Sequence, residues 1–449
     1  MDTQLLERIF KLQEHQTTPL REVSAGLVTF LTMAYILFVQ PAVLSTDFSG
    51  EPTGLDPGAI LLATCLASAF ATFLMGVIAK LPIALAPGMG QNFFFVSVVV
   101  ALTARGFDSP WQTALGIVFV AGLIFLLLTF FGLREAILHS LSPSLRSAVA
   151  VGIGMFIAFI GLQNGGLVTD APALVTLNVS HFGSIDGAVF WTGLVVTLIL
   201  MTRQVPGAIL IGIVCATIVA SVGGKLQYHG ILDFPTIKEP AAFAFNLSHV
   251  FSMACLPFIV VFVFMDVFDT MGTLVGVTQQ ANLQQDGTIP RLRQAMTADA
   301  LGTVVGAALG TSTVTSYIES AAGVQQGGRT GLTAVTVAVL FLLALPFSPL
   351  IMTIGTYPPI TAPALVCVGA MMFRNVESID WSDETESIPA FMIILGIPLF
   401  FSIADGMALG FVVWALLKLA RGRFDRATWR MCVLAAVIVI YFLAIRVQM

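Results

Sequence analysis

Residues 258–277 read FIVVFVFMDVFDTMGTLVGV, a stretch without a basic residue in which two acids, Asp266 and Asp269, stand three positions apart. Positions three apart on a helix fall on roughly one face. Upstream, no Asp, Glu, Lys or Arg occurs from Ala241 to Met265, and about 20 apolar residues suffice for a helix to cross a bilayer. A carboxylate turned toward hydrocarbon costs several kcal/mol, so this face must look into a polar cavity inside the protein. There an acid can accept a ligand N–H or a proton, or brace a neighbouring span.

The same absence of charge recurs from Val23 to Thr46, Pro57 to Ala79, Leu81 to Ala104, Trp111 to Leu133 and Ser147 to Thr169. A longer interval, Thr330 to Phe373, contains Pro346, Pro349, Pro358 and Pro359 and reads as two spans joined by a proline-rich turn. Of the 449 residues, 57% are hydrophobic and 10% charged, where a soluble domain carries about 25% charged; the mean hydropathy is +0.94. Such a chain cannot cover a water-facing surface. An all-α polytopic membrane protein is expected, because a lipid-facing barrel would alternate apolar and polar residues.

Spans are expected near 23–44, 58–79, 83–100, 112–133, 146–166, 187–202, 207–222, 252–277, 296–310, 313–326, 331–350, 360–373, 388–402 and 406–418. That is about 14 by the bilayer-length criterion. A further apolar stretch, 431–445, follows Arg421, Arg423, Arg426 and Arg430 and is either another span or lies beside the membrane. The expected organisation is a cytoplasmic N-terminal segment (1–22), a first repeat (23–222), an inter-repeat segment (223–251), a second repeat (252–418) and a basic, then apolar, C-terminal stretch (419–449). With the N-terminus inside, cytoplasmic connections collect most basic residues, among them Arg8, Lys11, Arg21, Lys80, Arg134, Arg203, Arg291 and Arg329. The other side holds only Arg105, Lys225 and Lys238. The Lys/Arg rule therefore sets the N-terminus in the cytoplasm, and a bacterial inner membrane is the expected location.

Each half contains a short interrupted segment at a corresponding place: LPIALAPGMGQNFFFV at 81–96 and GTSTVTSYIESAAGVQQGG at 310–328. Paired interruptions point to inverted repeats whose free backbone groups meet near the membrane midplane. In the first, Pro87, Gly88 and Gly90 break the helix beside Gln91 and Asn92, and Phe93, Phe94 and Phe95 offer flat apolar surface on which a planar ligand can stack. In the second, Glu319 stands among small hydroxylated residues including Ser316. The candidate ligand-binding set is Asp269, Glu319, Gly90, Gln91, Asn92, Phe93 and Ser316, with Asp266, Asp269 and Glu319 as proton-coupling candidates. Gln163 and Asn164 either line the path or pack helices. Asp405 reads as a turn or cap, Arg329 marks the inner end of the interrupted element, and GTVVGAALG at 302–310 supports close helix packing.

Cys65, Cys215, Cys255, Cys367 and Cys432 lie singly in apolar stretches, and the five histidines are scattered. No metal-ligand spacing, P-loop, dinucleotide fingerprint or nucleophile motif is present. Neither enzyme chemistry nor a cofactor is expected, and a net charge of −5 gives no support to a nucleic-acid partner. An anion transporter shares the inverted-repeat pattern and is the alternative. Acids at both ligand positions argue against a bare anion site. An embedded hydrolase lacks a nucleophile–base arrangement, and a non-transporting receptor leaves the paired interruptions unexplained.

PIALAPGMGQNFFF at 82–95, GIGMFIAFIGLQNGG at 152–166, FMDVFDTMGTLVGV at 264–277 and TSTVTSYIESAAGVQQGGRTG at 311–331 together resemble the AzgA-like branch of the nucleobase:cation symporter-2 family. The likeness runs from Arg21 to about Lys418. It implies 14 spans in two inverted seven-span repeats, a core domain and a gate domain, and short strand-like segments in spans 3 and 10 that meet at the substrate site. It also implies proton-coupled import of adenine, guanine or hypoxanthine, guanine and hypoxanthine being ranked first. The family's eighth-span acid, followed three positions later by glycine, matches Asp269 with Gly272, and the tenth-span acid matches Glu319. Relatives more often read GMGLNA and then an aromatic where this chain has GMGQNFF. Gln91 and Phe93 therefore either alter purine preference or, if Gln91 faces away, leave it unchanged. The partners so implied are a purine, a proton and the lipid bilayer, and the sequence leaves room for a homodimer.

Overall fold

The structure, a computed structural model, describes residues 3–131, 142–171, 174–227, 230–284, 289–422 and 429. The stretch 431–445, together with Arg134, Arg423, Arg426, Arg430 and Cys432, lies outside the described residues. In chain order the elements are α1 (Thr3–Phe10), α2 (Pro19–Met33), α3 (Ile36–Ser45), α4 (Pro57–Leu74), β1 (Leu85–Pro87), α5 (Met89–Ala104), α6 (Pro110–Phe131) and α7 (Pro143–Asn164). There follow β2 (Val168–Ala171), β3 (Leu174–Leu177), α8 (Ile185–Thr202), α9 (Ala208–Val222), α10 (Leu256–Gln280) and α11 (Leu292–Leu309). The rest are β4 (Val314–Ser316), α12 (Ser320–Gln325), α13 (Gly331–Ala344), α14 (Ser348–Gly355), α15 (Pro358–Phe373), α16 (Glu384–Leu399) and α17 (Ile403–Ala420).

Among the described residues, eight helical segments are long and apolar enough to cross a membrane: Pro19–Ser45, Pro57–Ala79, Pro110–Phe131, Pro143–Asn164, Ile185–Thr202, Leu256–Gln280, Pro358–Ser378 and Ile403–Ala420. Three shorter apolar helices, α5, α9 and α13, accompany them. Large apolar side chains such as Leu127, Phe130, Leu198, Ile199 and Ile218 are exposed on these helices, which only a lipid surround makes favourable. The protein is thus an all-α polytopic membrane protein.

Helix starts follow local chemistry. Thr18, Asp56, Ser184, Thr330, Asp383 and Ser402 each cap a following helix by accepting from a first-turn N–H, and proline opens α2 and α4. The expected span 23–44 falls within the apolar segment Pro19–Ser45, which is two helices broken at Ala34 and Tyr35 with no proline or glycine at the break. One expectation needs correction. The interval 331–350 ends at Ala344, and the proline-rich connection holds a helix of its own, α14, because Pro349 fits the first turn after Ser348.

Two compact units are distinguished: Met1–Phe130 with Gln163–Ala364, and Phe131–Leu162 with Leu365–Met449. In the first, β1 and β4 pair antiparallel, with Leu85 opposite Ser316, Ala86 opposite Thr315 and Pro87 opposite Val314. α4 packs against α3, α11 and α13, and α2 against α12 and α13. Small residues permit this closeness. A Cβ on Gly331 would lie 1.8 Å from the Gly76 oxygen, and one on Gly302 would lie 2.7 Å from the Ala71 Cβ, so the 302–310 run does serve helix packing. The segment α1 and its exit bury Leu6, Phe10 and Leu12 against Leu332.

In the second unit α16 lies on α17, where a Cβ on Gly410 would fall 2.1 Å from the Ile393 Cγ1. Its polar end is an ion-pair cluster. Lys418 Nζ is 2.6 Å from Glu386 Oε1, Arg421 pairs with Asp383, Trp414 Nε1 donates to Glu386 Oε1 at 3.1 Å, and Ser142 Oγ donates to Glu386 Oε2.

Candidate functional site

The paired strands leave little backbone unsatisfied at membrane depth, as a non-aqueous surround demands. Gly88 N donates to Thr313 O at 3.0 Å and Tyr317 N to Ala84 O at 2.9 Å, which extends the ladder at both ends. Thr72 Oγ1 donates to Leu85 O and accepts from Leu85 N, each at 2.9 Å. Ala84 N donates to Ser320 Oγ at 3.0 Å, and Tyr317 Oη donates to Pro87 O at 2.5 Å. What stays open is the start of α5. No side chain caps it, and the first N–H groups of a helix have no intrahelical acceptor, so Gly90 and its neighbours present main-chain donors.

Around this pair stand four acids. Glu319, half-buried in the turn between β4 and α12, accepts from Tyr35 Oη at 2.7 Å through Oε1. Asp269 on α10 is exposed, and its Oδ2 accepts from Gln91 Nε2 at 3.1 Å. It is near enough to act electrostatically on Glu319. One turn on, a Cβ at Gly272 would meet no atom within 4 Å, so open space lies beside Asp269. Asp266, on the buried side of α10, accepts from Thr303 Oγ1 at 3.1 Å. Asp299 of α11 accepts from Thr270 Oγ1 at 2.8 Å and Ser316 Oγ at 3.3 Å. Asp266 Oδ1 and Asp299 Oδ2 have no hydrogen-bond partner. Among the described residues none of the four acids is in an ion pair, and no group of His, Cys, Asp or Glu could hold a metal ion.

The remaining expected site residues fall into place less uniformly. Asn92 is fully buried; its amide donates to Gln40 Oε1 and accepts from Ser312 Oγ, tying α5 to α3 and to the approach to β4. Gln91 leans back over Gly88, where a Cβ would come 2.2 Å from its Oε1, and its Nε2 donates to Asp269. Phe93, Phe94 and Phe95 are all buried, and Phe94 meets Phe262 edge-on with centroids 4.6 Å apart. Ser316 serves Asp299. Arg329 donates to the carbonyls of Val324 and Gly328 at the end of α12, and Asp405 sits in the first turn of α17, its N–H held by Ser402 Oγ. Asn164 lines a separate cavity of about 280 Å³ with His181 and Asp186. There Asp186 is matched by Lys225 at 3.0 Å.

Sequence reasoning missed Tyr35, Gln40 and Asp299. Asp299 is an acid inside an apolar helix, AMTADALGTVVGA, and was discoverable as such. Gln40 was visible as an amide in a charge-free interval. Tyr35 carried no comparable signal.

A profile of the permease family Xan_ur_permease matches residues 20–409. The adenine permease AdeP of Escherichia coli K12 is 40% identical over 420 residues, 93% of this chain and 92% of that protein. The guanine/hypoxanthine permease PbuG of Bacillus subtilis 168 is 40% identical over 449 residues, 98% of this chain and 100% of that protein. Among solved structures, the transmembrane domain of the cyanobacterial bicarbonate transporter BicA aligns with a TM-score of 0.62 at 15% identity, covering 84% of this chain and 96% of that one. That likeness establishes kinship of fold.

Proposed function

Since the chain belongs to the Xan_ur_permease permease family, and is a transporter rather than an enzyme, we propose that it imports a purine nucleobase together with a proton. The observation that carries this reading is the pair Asp269 and Glu319, held by an amide and a phenol instead of a cation, beside the uncapped start of α5. Guanine and hypoxanthine carry a ring N–H next to a carbonyl oxygen. Carboxylates can receive the N–H while main-chain donors meet the carbonyl. AdeP and PbuG are each 40% identical to this chain, so overall likeness does not rank adenine against guanine and hypoxanthine. The acceptor-rich site puts guanine and hypoxanthine first, with adenine as the further substrate.

An acid without a basic partner can take up a proton and lose its charge, and Asp269, Glu319 and Asp266 are the groups placed to do so. One positive charge moving through 100 mV is worth about 2.3 kcal/mol, enough to drive accumulation. The AzgA-like branch, some 14 spans as two inverted seven-span repeats (23–222 and 252–418) and a core domain moving against a gate domain belong to the same proposal. So do a cytoplasmic N-terminus and residence in a bacterial inner membrane. The short segments of spans 3 and 10 correspond to β1–α5 and β4–α12. The likeness to a bicarbonate transporter favours an anion carrier as second reading, but the four acids argue against it.

Purified protein in liposomes should concentrate labelled hypoxanthine or guanine when an inward proton gradient is imposed. Collapsing the gradient should leave equilibration only. Accumulation that survives collapse and requires sodium overturns the coupling ion; bicarbonate transport without purine uptake overturns the substrate.

A further inference from the structure

The residue that grips Glu319 belongs to an element far away in sequence and was silent there. Tyr35 lies at the break between α2 and α3, is 1% exposed, and places its Oη 2.7 Å from Glu319 Oε1. One turn earlier, Thr32 Oγ1 approaches the Glu319 carbonyl at 3.4 Å. The broken helix therefore touches both the backbone and the side chain of this one acid. Tyr317 and Asp269 lie near enough to interact with it electrostatically, and neither is basic.

We propose that Tyr35 is a specificity-determining residue: by donating to Glu319 it keeps that carboxyl an acceptor and so favours purines that present a ring N–H. This rests on the purine-transport reading above. A hydroxyl bonded to a carboxylate is roughly twice as strong as one bonded to a neutral partner, so losing the phenol takes more from the ionised form of Glu319 than from the protonated one. Tyr35 donates to one carboxyl oxygen, and on this proposal the ligand N–H is received by the same carboxyl. Hypoxanthine offers N1–H to an acceptor beside its O6. Adenine offers a bare N1, which needs a donor, beside its amino group. An ionised Glu319 complements the first edge; a Glu319 that carries a proton complements the second.

The test is equilibrium binding of labelled hypoxanthine and adenine to full-length protein in detergent, wild type against Tyr35→Phe, at matched amounts of folded protein. Hypoxanthine affinity should fall about tenfold, the loss of one charge-assisted hydrogen bond, while adenine affinity falls about threefold or less, so that the ratio moves toward adenine. Equal falls for both bases, as a purely structural role would give, or no fall at all, overturn the proposal. Tyr35→His returns a donor at the same position and provides a second variant should Tyr35→Phe not fold. It should stay nearer the wild-type ratio, and a selectivity reversed in favour of adenine in Tyr35→His also overturns the idea. A wild type that binds neither base defeats the functional reading itself, which separates the two failures.

Discussion

Two acid clusters stand out in this protein, and their carboxylates are partnered in opposite ways. At the polar end of the second unit, Glu386 and Asp383 meet Lys418 and Arg421. The Asp383 carboxyl is held down to about 2 by the Thr385 backbone N–H foremost, with the Arg421 and Lys418 charges assisting. Around β1 and β4, Asp266, Asp269, Asp299 and Glu319 meet hydroxyls and an amide. An acid locked to a lysine stays charged and braces helices. One bonded only to neutral donors can exchange a proton without breaking an ion pair. The same residue types are thus tied into ion pairs in one place and bonded only to neutral donors in the other.

Removing one partner of the locked cluster should have the largest effect. Lys418→Ala leaves Glu386 buried beside Trp414, and unfolding in detergent should be easier by about 3–5 kcal/mol. Lys418→Met combined with Glu386→Gln should recover most of that, whereas equal losses in the single and double variants would deny the pairing any role. Next come the unpaired acids. Asp269→Asn and Glu319→Gln should each lower purine affinity about 10- to 150-fold, the range for a hydrogen bond to a charged group, with the thermal midpoint nearly unchanged. Asp266→Asn should weaken binding less. Wild-type affinity in both Asp269→Asn and Glu319→Gln removes them from the ligand site.

Gln91→Leu takes away the donor on Asp269 and should cost about 0.5–1.5 kcal/mol, roughly 2- to 13-fold in affinity. Competition by adenine, guanine and hypoxanthine will show whether the loss is unequal; three unchanged Kd values place Gln91 outside recognition. The smallest effect concerns pH. Asp383 lies below its ordinary 3.8, at about 2, so its contribution is fully present above the unfolded value and is lost as pH falls through the folded one. The stability difference between wild type and Asp383→Asn should be flat near neutrality and shrink below about pH 4. A difference already fading at pH 6 contradicts that assignment.

Much of this was legible in the sequence because membranes punish charge. Lone acids such as Asp269 and Glu319 inside apolar runs have few structural excuses, and Pro–Gly at 87–88 marks broken helix wherever it falls. The helical intervals were readable for the same reason. Asp299 was obscured by Arg291 and Arg293 a few residues upstream, which hid it from a search for charge-free intervals. Tyr35 was invisible for a deeper reason. A tyrosine in an apolar helix is ordinary, and its meaning comes from a partner 284 positions away. Nor does composition announce the break at Ala34 and Tyr35, where neither proline nor glycine stands.

The pairing of β1 with β4 also sets a clock on biosynthesis. Tyr317 and Pro87, bonded across it, are 230 residues apart, and at translation rates of about 5–20 residues per second the first strand waits roughly 10–50 s for the second to be made. During that wait its polar backbone has to find another partner within the nascent membrane segment. Thr72, only 13 positions from Leu85, supplies both a donor and an acceptor to it. One buried hydroxyl thereby acts as a built-in placeholder, guarding half of the candidate site until the ribosome delivers the other half.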